Sequence, residues 1–438
     1  MSNGSKDGAR FEVLSDTFAG LIGQRPHLRK LLKTQDGKAL FHEAGIYLSD
    51  SNTVILSSNR YERKGKENDQ YACVVHLPIN ALPRPKANDP VYPGEPSVHM
   101  QEHIWSQITV RESLGKDMIM PNGATRWTLD DGREGVLWCE QGKHDLTAVQ
   151  DPTQAYVHSA LVVYDPKNYS TSSTVDSFEG KRFSSLNDVV VHQQSGAVFF
   201  TDPDYGVEQL FKRGHDIQTG EHAYAPNGVY CWQPKSGKVT LLDSDYVKPN
   251  GCTFVPDPNY PSTSGVGALV TTDTGRLNFK HLRCPKSGKL SAHFVCDKGK
   301  PACIYAYPVN YQKDKCSPDH PFVDVERRQL VAHSSCSGAP DGIHPDEKGN
   351  VWAGHSDGVH AYAIDWSTFS KAHTQSNQKP IGRLIGKIRL PDGHGVANFC
   401  WAGKVSGGND STCPDRYRML LFAEDELWEA IVAVNGFD

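Results

Sequence analysis

Apolar residues along this chain fall in short runs of β-branched and aromatic side chains, each closed by Gly, Pro, Asn or Asp, the pattern of many short strands. Val54-Ile55-Leu56, Val189-Val190-Val191, Val198-Phe199-Phe200, Leu269-Val270-Thr271 and Met419-Leu420-Leu421-Phe422 are examples. Helical periodicity is scarce, and the stretch best suited to a helix is Phe18 to Lys33. Beneath the strand pattern lies a repeat: a small polar turn, a strand, a tight turn, and a second strand ending in a polar or acidic residue. Its copies begin at Glu43, Pro121, Leu186, Pro249, Pro340 and Val396, and their second strands include Val54-Ile55-Leu56, Val136-Leu137-Trp138, Val198-Phe199-Phe200, Leu269-Val270-Thr271, Val351-Trp352-Ala353 and Leu420-Leu421-Phe422.

Asn122, Asn187 and Asn250 recur at intervals of 65 and 63 positions, the size of one four-stranded blade with its loops. Further strands show as Ala160-Leu161-Val162-Val163-Tyr164, Gly228-Val229-Tyr230 and Gly358-Val359-His360. Six such units predict an all-β chain closed as a six-bladed β-propeller, which leaves only short protected edges. The expected layout is an N-terminal extension with a short helix over 1–40, then the propeller over 41–438, interrupted by long loop insertions near 63–97 and 276–337. Long loops on a compact domain often act as lids or binding loops.

Composition narrows the picture. The 438 residues are 38% apolar and 22% charged with a net charge of −5, as in an ordinary water-soluble globular chain. No basic run has the density of a nucleic-acid or anionic-membrane footprint, and no apolar run is long enough to span a bilayer, so neither partner is expected. The polar start, Met1 to Arg10, lacks the apolar core of a secretory signal. A cytoplasmic location is therefore expected, with a secreted mature form left open; oligomeric state is not readable. Eleven cysteines cannot all pair within one chain. Cys284, Cys296, Cys303 and Cys316 could pair where the compartment oxidises, but buried thiols are the simpler expectation.

The innermost strand of each blade lines a propeller's central channel, so residues at the starts of those strands converge at one mouth. The repeat places Glu43, Asn122, Asn187, Asn250, Asp341 and Asn398 there. All are carboxylates or primary amides: hard oxygen donors of limited charge, suited to calcium better than to zinc or copper. The competing reading is local, because Asn-Gly and Asp-Gly favour hairpin turns, and Asn122-Gly123, Asn250-Gly251 and Asp341-Gly342 could be no more than that. Thr201-Asp202-Pro203-Asp204-Tyr205-Gly206 looks like a paired-carboxylate site, yet it falls at the end of a second strand, where a blade-turn role is expected. Nucleophile-elbow, zinc-protease, dinucleotide and Walker A motifs do not occur.

At these residues the chain resembles the senescence-marker-protein/gluconolactonase family of calcium-dependent propellers, and within it the fungal lactonohydrolases. The segments carrying the resemblance are Phe41-His42-Glu43-Ala44, Ser185-Leu186-Asn187-Asp188-Val189, Phe199 to Gly206, Lys248-Pro249-Asn250-Gly251 with Val270 to Gly275, Pro340-Asp341-Gly342-Ile343-His344, and Gly382 to Ile388. The resemblance implies a metal held by Glu43, Asn187, Asn250 and Asp341, calcium or another divalent ion, and a small lactone or related ester as substrate. Asn122, Asn187, Asn398, His42 and His344 would meet the substrate, and Asp341 or Glu43 would act on the attacking water. His42 and His344 are alternative bases; alternation sets His344 away from Asp341. The stretches 63–97 and 276–337 look longer than the family norm. Three rivals stay open: a phosphoester or phosphofluoridate hydrolase or a non-hydrolytic enzyme at the same metal, a scaffold with a structural ion, and a metal-free enzyme of the strictosidine-synthase type, against which the oxygen-rich set argues.

Overall fold

The computed structural model describes residues 8–65, 69–84, 94–112, 114, 117–144, 156–212, 224–283, 290–311, 322–334, 338–371, 379–405 and 415–437. Six antiparallel sheets form the blades of a propeller. Their inner strands are Glu43–Leu48, Pro121–Thr128, Val189–His192, Pro249–Pro256, Ile343–Pro345 and Asn398–Val405, and each lies against the next, the last returning to the first. The six repeat copies read from the sequence are the first two strands of the six blades. The buried apolar residues sort into six clusters, one in each gap between neighbouring blades. That placement is what alternation within a strand dictates: both faces of a blade are covered, so both must supply apolar side chains.

The ring closes through its N-terminal part. His27–Lys33 pairs antiparallel with Glu426–Val432 and becomes the outer strand of the sixth blade. Arg10–Val13 adds a fifth strand to the fifth blade. The stretch before residue 41 thus contributes sheet, and the helix expected over Phe18 to Lys33 is shorter than its pattern. It runs Asp16–Ile22, with Ser15 Oγ accepting from the Phe18 N–H at 3.3 Å. It stops at Gly23, where φ is +79°, and Pro26 follows. The apolar residues Leu28, Leu31 and Leu32 beyond it serve a strand because the open edge at 426–432 offers a ladder. The helix docks where Gly386 leaves room: a Cβ there would stand 2.2 Å from the Phe18 ring, which packs on Trp352 at 5.6 Å.

Parts of the two stretches read as loop insertions are also blade. Val74–Pro78 is the third strand of the first blade, and Cys303–Asn310 and Gln329–His333 are the third and fourth strands of the fourth. What extends beyond the blades is a small hairpin at Tyr61–Glu62 and Gln70–Tyr71 and a larger one at Leu277–Arg283 and Leu290–Cys296. Cys73, Cys139, Cys231, Cys252 and Cys303 are buried thiols, while Cys284 and Cys316 lie outside the described residues. Among the described residues no helix is long and apolar enough to cross a membrane.

Candidate functional site

The Asn-Gly and Asp-Gly pairs are not hairpin turns. Asn122-Gly123 and Asn250-Gly251 sit within strands, Asp341-Gly342 just before one, and none of these glycines has positive φ. Each instead admits the polar residue of the next blade. A Cβ on Gly123 would stand 2.5 Å from the Asn187 carbonyl, one on Gly251 2.4 Å from that of Asp341, and one on Gly342 2.1 Å from the side-chain amide carbon of Asn398. Second-strand hydroxyls stitch the same joints. Ser57 Oγ donates to the Asn122 carbonyl at 2.9 Å, Thr201 Oγ1 to that of Asn250 at 2.7 Å and Thr272 Oγ1 to that of Asp341 at 3.1 Å. The first blade uses a different device: a register shift after Glu43, with Ala44 at φ +61° and Gly45 at +99°, a bulge that re-aims the glutamate.

Glu43, Asn122, Asn187, Asn250 and Asn398 are buried, and Asp341 is partly so. Asn398 is the hub of one side: its Nδ2 donates to Glu43 Oε2 at 2.8 Å, and its Oδ1 meets His344 Nε2 at 3.1 Å. His344 reaches Glu43 through this amide. On the other side Asn250 bonds Asp341 and donates to the Tyr205 hydroxyl at 3.1 Å. His42 Nδ1 meets Glu424 Oε1 at 2.8 Å, so its partner is not Glu43. Among the described residues, Asn122 Oδ1, Asn187 Oδ1 and Asp341 Oδ1 are buried oxygens with no hydrogen-bond partner. Such atoms are costly unless something electropositive joins them.

The electrostatics point the same way. Burial and the neighbouring Asp341 push the Glu43 carboxyl up to about 8. Burial, with Glu424 adding, lifts Asp341 to about 6 against the pull of His42. Burial would lower His42, but Glu424, Glu43 and Asp341 outweigh it and raise it to about 9. Two crowded carboxylates beside unsatisfied amide oxygens make a hard-oxygen set of the kind a divalent cation satisfies. Among the described residues no cluster of three or more His, Cys, Asp or Glu forms a metal site; half of the set here is amide.

Four residues near this mouth escape the sequence reading. Asp188 accepts from the Val189 and Cys252 N–H groups at 2.9 and 2.8 Å and ties the third blade to the fourth. Tyr205 opens a short helix, Tyr205–Glu208, and holds Asn250. Glu424 and Arg60 flank His42 and Tyr205. Glu424 stands at the second-strand end where the repeat calls for an acid, so that signal was present; Arg60 follows its second strand without one. The loops between second and third strands, which border the mouth, are unequal. They are long in the first four blades, whereas Ser356 and Asp357 alone separate the strands in the fifth blade, and Glu424 and Asp425 in the sixth.

No family model matches the chain. It is 26% identical over 56% of its length to a gluconolactonase of Zymomonas mobilis, covering 52% of that protein. It is 28% identical over 80% of its length to lactonohydrolase oryL of Aspergillus oryzae, covering 64% of it. The chain is thus similar to a gluconolactonase and a lactonohydrolase. It spans between about half and two-thirds of the length of these two curated relatives. A solved gluconolactonase from Xanthomonas campestris matches 100% of the chain and 99% of its own, with a TM-score of 0.53 at 16% identity, which establishes the propeller fold. The resemblance read from the sequence motifs is borne out.

Proposed function

We propose that this protein is a hydrolase that opens a lactone or related ester with water, using a divalent cation, calcium by preference, at the mouth of the channel. The observation that carries the reading is that Glu43 and Asp341, which act on each other, stand at the starts of inner strands in the same ring as Asn250, which bonds Asp341, and Asn187, whose oxygen has no partner among the described residues. These four residues would hold the cation. When bound, it would polarise the acyl carbonyl and offset the negative charge that develops on its oxygen.

The chain's own groups divide the remaining work. Glu43 is engaged by Asn398, so it is fixed in place. Asp341 keeps an oxygen without a partner and is the acceptor for the proton of the attacking water. Its worth as a base comes from position, since a carboxylate beside a cation is weakly basic. Asn122 and Asn187 line the substrate's approach, with Asn398 and His344 behind Glu43. His42, tied to Glu424, borders the opening rather than serving as base. Ring opening consumes one water and yields a hydroxy acid. The relatives' names support this reaction class for this chain.

The test is hydrolysis of an aldonolactone, pantolactone and an aromatic lactone before and after chelation, with calcium restored. Loss with chelator and recovery with calcium is the expected result. Hydrolysis of phosphoesters in place of lactones would reassign the bond, and tight calcium binding without turnover on either would leave a structural ion.

A further inference from the structure

Arg60 follows the second strand of the first blade and enters the mouth beside the proposed site. Its backbone N–H donates to Asn59 Oδ1 at 2.7 Å, and Asn59 Nδ2 donates to Glu424 Oε2 at 3.1 Å, which fixes the chain where the side chain departs. Arg60 is half-buried, and burial draws its guanidinium down to about 10 despite Glu424 and Tyr205 nearby. Among the described residues none accepts a hydrogen bond from that guanidinium or forms an ion pair with it. The nearest carboxylate, Glu424, is already engaged by His42 at 2.8 Å and by Asn59. A sunken guanidinium with five donors and no acceptor is expensive to keep idle.

We infer that Arg60 is a substrate-recognition residue whose guanidinium takes a carboxylate, that of the ring-opened hydroxy acid, and so sets which acids this mouth accepts. The inference rests on the hydrolase reading above and names the group that the site must recognise. The fork of a guanidinium matches a carboxylate in two parallel hydrogen bonds, a match that an ammonium cannot reproduce. The link to the proposed reaction centre is short: Tyr205 acts on Arg60 and its hydroxyl receives the Asn250 amide. Opening the lactone turns a neutral acyl oxygen into half of a carboxylate, the group that this fork takes. Arg60 is then a contact for product and for the late transition state.

The experiment titrates gluconate, pantoate and 2-hydroxyphenylacetate into calcium-supplemented protein by calorimetry, for wild type, Arg60→Met and Arg60→Lys. Calcium binding by each variant, measured alone, checks that the site and fold survive. At least one acid should bind wild type, bind Arg60→Met about ten-fold more weakly or worse, as loss of a charge-assisted pair implies, and bind Arg60→Lys in between. Equal affinities in wild type and Arg60→Met, or no acid bound by wild type that still takes calcium, would overturn the assignment. Should Arg60→Met lose calcium, Arg60→Lys carries the comparison: a lysine that restores wild-type affinity refutes the fork. If no lactone is turned over yet acid binding depends on Arg60, the hydrolase reading fails, and what stands is recognition of a carboxylate by Arg60, no longer as a product contact.

Discussion

Two sets of carboxylates belong to the inner and second strands of the blades, one at the starts of inner strands and one at the ends of second strands, and they are treated in opposite ways. At the ends of second strands, Glu140 accepts from the Ile119, Met120 and Gly142 N–H groups, Asp202 from Ser184 and Ser185, and Asp273 from Val247, Lys248 and Gly275, all between 2.7 and 3.1 Å. Each acid clamps the loop that leads into the inner strand of its own blade. At the starts of inner strands, Glu43 and Asp341 receive amides and act on each other, beside oxygens that have no partner among the described residues. Burial raises both sets: Glu140 and Asp202 to about 7, Glu43 to about 8. The difference lies in compensation. A satisfied buried acid stabilises the ring, whereas an unsatisfied pair stores cost that a ligand can release, which is the mark of a functional site.

The largest effect that would break this contrast is on turnover. Asp341→Asn and Glu43→Gln should each lower kcat/KM on a responsive lactone by about a thousand-fold or more, roughly 4 kcal/mol. The same changes should raise the melting temperature of the cation-free protein, because each removes one of two crowded charges. Activity within ten-fold of wild type would place the chemistry elsewhere.

The next largest belongs to the other set. Asp202→Ala leaves the Ser184 and Ser185 N–H groups buried without an acceptor. It also removes the charge that sustains Lys212, whose buried ammonium donates to the Ser184 carbonyl and is lowered to about 7 by burial against the pull of Asp202 and Glu140. A loss of about 2–5 kcal/mol follows, read as a lower urea midpoint with calcium affinity retained in the folded fraction. An Asp202→Ala protein as stable as wild type would show that the clamps do not hold the loops.

The two sets also differ in how far they could be read from the chain. The propeller was legible because its signal repeats: six pairs of strands, each opened by an amide or acid at a fixed place. The candidate site residues were legible for the same reason, since Glu43, Asn187, Asn250 and Asp341 occupy one repeat position. The clamps were half legible. The acid closing the second strand was seen, but not that it reaches back to loop N–H groups, as Asp202 does in place of a paired-carboxylate site. Strands outside the repeat's first half were missed where pairing, not pattern, decides. His27–Lys33 takes its state from a partner some 400 positions away, a contact that no local periodicity records. Arg60 and Tyr205 come from loops, which carry no period.

Acidity sharpens the contrast further. Glu43 and Asp341 have folded values raised above those of the unfolded chain. Their contribution is fully present below the unfolded values near 4 and is lost as pH rises through about 6 and then about 8. Calcium favours the ionised forms and should cancel that loss. His76 and His192, held down to about 4 by burial, slope the opposite way at lower pH in both states, so the difference with and without calcium isolates the mouth. The calcium-induced gain in melting temperature should therefore grow from pH 6 to pH 8 and shrink in Glu43→Gln. A gain independent of pH in wild type would mean that these carboxylates are not the ligands.

The smallest effect tests whether the unsatisfied set is held in place from outside. Tyr205 lies one loop away from the inner strands, yet its hydroxyl accepts from Asn250 Nδ2 at 3.1 Å and also bonds the Thr274 hydroxyl. That contact helps fix the amide's orientation: with Nδ2 directed at Tyr205 and Asp341, the Asn250 oxygen is the atom that would face the proposed cation. Tyr205→Phe keeps the ring and its packing and removes one hydroxyl. The loss is about 1 kcal/mol, close to a five-fold weaker calcium affinity, with a melting temperature nearly unchanged in the absence of the cation. On the proposed mechanism Asp341, not Tyr205, sets kcat at saturating calcium, so kcat should hold while the calcium concentration for half-maximal activity rises. A fall in kcat with unaltered calcium affinity would instead place the Tyr205 hydroxyl against the substrate, and Asn250 would lose its claim as a ligand oriented from the loop.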